Sequence, residues 1–138
     1  MPFRGGVMKN PVVHFEIYAD DPEKLAKFYS SLFDWSIEPV PGMEYRIVKT
    51  VETDANGMPT QQGGINGGLV KRPEGYDVRA PVNYINVEAL DPAVKRAQDL
   101  GARITKPRAA VPGMGWFAML IDPQGNHFAM WEQDAGAK

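Results

Sequence analysis

An α+β fold of two tandem βαβββ modules is predicted by three observations. The chain repeats itself: shifted by 70 residues, Val12-Val13-His14-Phe15-Glu16-Ile17 lies over Val82-Asn83-Tyr84-Ile85-Asn86-Val87, and Asp21-Pro22 falls on Asp91-Pro92 without a gap. Each copy opens with a short alternating strand followed by Asp-Pro, where Asp accepts hydrogen bonds from the first free helical amides and Pro suits the first turn. Three further strand-like runs follow each helix.

In the first module the opening strand leads into a helix over about Pro22 to Phe33. Leu25, Phe28, Tyr29 and Leu32 have the three-and-four spacing of a buried stripe, with Glu23, Lys24 and Lys27 elsewhere. Strands are then expected over Ser36 to Val40, Tyr45 to Val51 and Gln62 to Val70. The second helix, about Pro92 to Leu100, repeats the stripe with Val94, Ala97 and Leu100 and is stopped by Gly101. Both helices are expected on one face of a sheet. Strands over Arg103 to Val111, Trp116 to Ile121 and His127 to Glu132 complete the second module.

Turn chemistry separates these runs at Pro39-Val-Pro-Gly42, Asp54-Ala-Asn-Gly57 and Asp122-Pro-Gln-Gly-Asn126. Pro112-Gly-Met-Gly115 reads either as a plain hairpin connection or as a lip carrying an apolar Met. The organisation is therefore a flexible N-terminus (1–10), a first module (11–70), a connector (71–80), a second module (81–133) and a C-terminal tail (134–138), one structural domain in all.

At 138 residues, 43% hydrophobic and 23% charged, the chain has the size and composition of one globular domain with a real core. Its net charge of −2 and scattered Lys and Arg leave no basic footprint, so neither nucleic acid nor a membrane surface is an expected partner. No apolar run approaches the roughly 20 residues that span a bilayer, and Met1 to Asn10 lacks the apolar middle of a secretory signal; the cytoplasm is the expected location. The absence of cysteine excludes disulfides, thiolate metal sites, iron–sulfur clusters and cysteine nucleophiles.

Four stretches, HFEIYADDPEKLAKFYSSLFDW, INGGLVKRPEG, VNYINVEALDPAVKRAQDLGA and PGMGWFAMLIDPQGNHFAMWE, resemble the vicinal-oxygen-chelate superfamily of glyoxalase I, ring-cleaving dioxygenases and bleomycin- and fosfomycin-resistance proteins. The subgroup they are similar to is that of the predicted enzymes related to lactoylglutathione lyase. The resemblance runs from about Pro11 to Gln133. It implies that the paired modules curl into a cup-like mixed sheet with the helices on the outer face. It also implies that metal-dependent members place one ligand on the first and one on the last strand of each module.

His14 aligns with the first of those four positions. The others fall on Tyr84, an uncommon ligand because its phenol has a pKa of about 10, on Ala129, seven residues after Asp122, and on Gly67 within the GGINGG stretch. One ligand of four is too few for a zinc or nickel site, so a degenerate metal site is expected, with no cofactor and no divalent metal. The glycines of GGINGG precede no helix and are read as room for close backbone approach, not as a phosphate cradle.

Alternation along a strand turns Val13, Phe15 and Ile17 toward the helix and His14, Glu16 and Tyr18 into the cup. The same rule turns Tyr84, Asn86 and Glu88 inward in the second module. On its last strand His127, Ala129 and Trp131 face the cup, with Phe128 and Met130 on the core side.

Glu16 and His14 form the candidate catalytic pair, because a carboxylate in a half-dry cup can take a proton next to a carbonyl. The alternative for Glu16 is a paired carboxylate with no chemistry. His14 has three readings, structural, ligand-binding or proton-transferring, and metal-ligating. The candidate substrate-binding set is Tyr18, Tyr84, Asn86, Glu88, Trp116, His127 and Trp131, with core packing the alternative for the two tryptophans.

An aromatic wall with convergent polar groups suits a small-molecule partner. By resemblance the chain is a lyase- or isomerase-type enzyme on a small carbonyl or oxygenated metabolite, or else a sequestration protein of the bleomycin-resistance type. A third reading, an assembly or regulatory piece, holds if the cup is filled by its own side chains. A homodimer is expected.

Overall fold

The computed structural model describes residues 9–138; residues 1–8 of the expected flexible N-terminus lie outside them. The elements are β1 (Val12–Ala19), α1 (Pro22–Leu32), β2 (Ser36–Pro39), β3 (Tyr45–Lys49), β4 (Gly67–Lys71), β5 (Val82–Asn86), α2 (Leu90–Asp99), β6 (Arg103–Val111), β7 (Gly115–Ile121) and β8 (His127–Gln133). The order is βαβββ twice, an α+β fold. Contacts divide the chain into a first-half unit, His14–Val82, and a second-half unit, residues 9–13 with Asn83–Lys138. Among the described residues no helix is long and apolar enough to cross a membrane.

In the first-half unit the strand order is β2-β3-β4-β1, with β1 parallel to β4 and the other pairs antiparallel. α1 starts where Asp21 accepts a hydrogen bond from the Lys24 amide (3.1 Å) and Pro22 occupies the first turn. Its inner face packs Leu25 and Tyr29 onto Phe15, Ile17 and Trp35 over buried Ala19, Val48 and Leu69. Phe28 and Leu32, expected in the buried stripe, are instead 56% and 59% exposed. One narrow sheet face accepts one helical stripe, and Leu25, Ala26 and Tyr29 fill it. Phe28 meets Tyr29 edge-on (5.1 Å between centroids), and Tyr29 stacks on Trp35 at 5.3 Å.

The strand expected from Gln62 begins only at Gly67. Gly63 turns the chain with φ +81°, and the Asn66 side chain takes over the pairing, its Oδ1 accepting from the amides of Thr50 (2.7 Å) and Val51 (3.0 Å). The 71–80 stretch starts with the last residue of β4 and continues as a loop pinned by Arg72. That guanidinium donates to the carbonyls of Tyr18 (3.2 Å) and Val78 (3.3 Å) and pairs with Asp20, while Tyr76 sets its ring 5.0 Å from that of Tyr18.

In the second-half unit the order is β5-β8-β7-β6, with β5 parallel to β8. Leu90, Ala118 and Leu120 are fully buried with Val87, under Ala93, Val94 and Ala97 of α2 and against Phe128 and Met130 of β8. α2 begins at Leu90, earlier than Asp91-Pro92 suggests. Its N-cap position is Ala89, which offers no side-chain bond. The Glu132 carboxylate on β8 accepts from the Leu90 amide instead (2.7 Å), and Asp91, inside the first turn, pairs with Arg108 (2.8 Å). The two Asp-Pro pairs thus start their helices by different means. Leu100 is 65% exposed at the helix end, which Gly101 closes with φ +109°. The β6–β7 connection is a hairpin tied to the C-terminal tail: the Asp134 amide donates to Met114 O and the Gly113 amide to Ala137 O, both at 2.8 Å.

Candidate functional site

On the first-half unit, the sheet face opposite α1 carries His14, Glu16 and Tyr18 of β1, as alternation requires once Phe15 and Ile17 pack under the helix. Glu16 is buried and accepts a hydrogen bond from the Tyr18 hydroxyl (2.7 Å). The sequence reading missed a third partner, Tyr45 of β3. Its hydroxyl lies 2.9 Å from His14 Nε2, within reach of the Glu16 charge.

Tyr45 reaches these groups because β3, β4 and β1 are adjacent, with Tyr45 opposite Val70 and Glu16 opposite Gly68. Its ring edge crosses Gly68, where a Cβ would overlap the phenol, with Cε1 only 2.7 Å away. No local pattern in the sequence reveals this, since it depends on the register of three strands.

Burial pushes the Tyr45 phenol up, and the nearby Glu16 carboxylate adds to the rise, so Tyr45 keeps its proton. Burial also lowers the His14 pKa below 6.5, opposed by the Glu16 charge. His14 is neutral at pH 7, and its folded value lies below its unfolded one. The unfolded chain therefore binds the extra proton first, and the stability tied to this residue is present above pH 6.5 and lost as pH falls through the folded value. The midpoint of thermal unfolding of wild type is expected to fall more steeply between pH 6.5 and 5 than that of His14→Gln; parallel curves would remove His14 as the cause.

The second-half unit builds a different surface on its corresponding face. Tyr84, 5% exposed, lies opposite Ala129, and its ring sits 6.1 Å from that of Phe117, an aromatic residue the sequence reading did not select. Trp131, opposite both Asn86 and Phe117, lies against Gly115, where a Cβ would come within 2.5 Å of the indole. His127 is the half-buried first residue of β8.

Two expected members sit elsewhere. Glu88 is exposed beyond the end of β5. Trp116 lies on the α2 side, packed with the Val87–Leu90–Leu120 core, its indole N–H donating to Asp134 (3.0 Å) and the Arg108 guanidinium 4.0 Å above its ring. Trp116 alternates with Phe117, and Ala118 and Leu120 put the even-numbered side of β7 into the core.

The metal question can be put to the donors themselves. Gly67 is on the helix side, where a Cβ would meet the Phe15 ring; the parallel register brings Asn66, just before β4, level with His14. The Asn66 amide is committed to Thr50 and Val51, the His14 Nε2 faces Tyr45, and Ala129 has no donor. Among the described residues no three His, Asp or Glu side chains gather where one ion could be held. This donor set does not fit a divalent metal.

A family model described as a glyoxalase-like domain matches residues 13–131. The chain belongs to the glyoxalase-like domain family. It is 28% identical over 119 residues to CFP32 of Mycobacterium bovis and of Mycobacterium tuberculosis, proteins given a glyoxylase name, covering 83% of this chain but only 41% of theirs. Among solved structures it is similar to a glyoxalase/bleomycin resistance protein/dioxygenase superfamily member from Vibrio splendidus, with a TM-score of 0.59 at 16% identity over 91% of this chain and all (100%) of that one. It is likewise similar to a methylmalonyl-CoA epimerase of Streptomyces coelicolor, with a TM-score of 0.61 at 16% identity over 91% and 99% of the two chains. At such identities the likeness shows the fold alone, and membership of the glyoxalase-like family rests on the family model.

Proposed function

We propose that this glyoxalase-like chain is an enzyme of the lyase or isomerase type that acts on a small carbonyl compound without a divalent metal, Glu16 taking a proton from the carbon next to the carbonyl. The observation that carries this reading is the buried carboxylate of Glu16, held by the Tyr18 hydroxyl on a face it shares with neutral His14 and Tyr45. A base removed from water and aimed by fixed donors is what α-proton abstraction requires. The glyoxylase name of CFP32 and the shared fold of the epimerase agree with that class by analogy only. The aromatic face of Tyr84, Phe117 and Trp131 supports a second reading, capture of an aromatic molecule without chemistry.

The two readings separate in one experiment. The protein is incubated in D2O with a panel of 2-oxo acids, hydroxyketones and acyl thioesters, and the α-proton signal is followed by NMR. Protein-dependent exchange with at least one compound is expected. No exchange anywhere in the panel, together with a raised unfolding temperature in the presence of an aromatic ligand, would replace catalysis by sequestration.

A further inference from the structure

We infer that Tyr45 is the positioning residue for His14 and that bare Gly68 is what seats it: lying across the glycine, the Tyr45 hydroxyl hydrogen-bonds His14 Nε2, so one phenol biases the tautomer and orientation of the imidazole. This rests on the acid–base reading above for its role in chemistry, though not for its geometry.

Three independent features lead here. The space over Gly68 is occupied by the phenol of a residue from another strand, and even an alanine methyl there would overlap it. The glycine has no other conformational reason to be there, because its backbone is extended within β4 and it is absent from the positive-φ positions. The Tyr45 hydroxyl also stands 2.9 Å from His14 Nε2, and this bond favours one of the two imidazole tautomers whichever group donates. Burial keeps the phenol protonated across the neutral pH range. On the same face Tyr18 donates to Glu16 Oε1 (2.7 Å).

The test needs no substrate. The chain has two histidines, so a 15N imidazole spectrum of the full chain is assigned by His127→Gln. Both Tyr45→Phe and Gly68→Ala are expected to shift the His14 tautomer ratio away from that of wild type. In thermal unfolding, Gly68→Ala is expected to lower the midpoint in the wild-type background and to leave it unchanged in Tyr45→Ala, because the overlap has gone. An unchanged tautomer ratio in Tyr45→Phe overturns the positioning. A Gly68→Ala protein with the wild-type signature, or an equal loss of stability with and without Tyr45, overturns the seat. If Gly68→Ala alone does not fold, recovery of folding in the Tyr45→Ala, Gly68→Ala double variant supports the seat, and continued failure overturns it. Failure of the panel to exchange α-protons, with the tautomer result intact, would remove the chemistry and leave the positioning standing.

Discussion

Glu16→Gln is expected to lower the rate of α-proton exchange by about 10²- to 10⁴-fold, the range typical of losing a positioned general base, while the chain still unfolds cooperatively. The amide keeps the size of the acid but cannot take a proton. It also disturbs the Tyr18 bond, since that hydroxyl directs its hydrogen at a group that would now offer one acceptor and one donor end. A phenol left facing the N–H costs about 1–3 kcal/mol in stability. The measurement pairs the exchange assay with thermal unfolding of the same preparation. A rate within threefold of wild type would place the base elsewhere. A chain that no longer folds would show that Glu16 serves the structure first.

The second large effect is on stability. Leu69 is fully buried in the first-half core, beneath the helix and between Gly68 and Val70 of the strand that carries the seat of Tyr45. Leu69→Ala removes most of that side chain and leaves a cavity that paired strands cannot easily close. The expected loss is about 3–5 kcal/mol, a large share of the roughly 5–15 kcal/mol that keeps a domain folded. Urea unfolding reads it directly. A loss below about 1 kcal/mol would mean that β4 and α1 collapse onto the vacancy. Because Leu69 points away from His14 and Glu16, the tautomer of His14 should survive the substitution at low temperature.

Much of the architecture was legible because it is local. Strand alternation at Val12 to Tyr18 assigned His14, Glu16 and Tyr18 to the face opposite Phe15 and Ile17, and the contacts agree. The Asp21-Pro22 helix start and the Gly101 stop are likewise written in short-range chemistry, a side-chain acceptor in one case and a left-handed residue in the other. Where the reading went astray, the deciding contact lay far along the chain. Asp91 looked like the cap of α2, but Glu132, forty-two residues away, accepts from the Leu90 amide instead. Phe28 and Leu32 carried the right spacing for burial, but spacing does not say how wide a face the sheet offers.

The candidate site divides in the same way. The sequence alone determined the βαβββ repeat, the family resemblance, and the pair His14 and Glu16 on one strand face. Only the tertiary structure decided that Trp116 belongs to the core side, that Gly67 faces the helix while Gly68 faces the polar cluster, and that Tyr45 meets His14. The reason is physical: alternation assigns a side chain to one of two faces, whereas a hydrogen bond between strands needs their register, and register is set by the packing of the whole sheet.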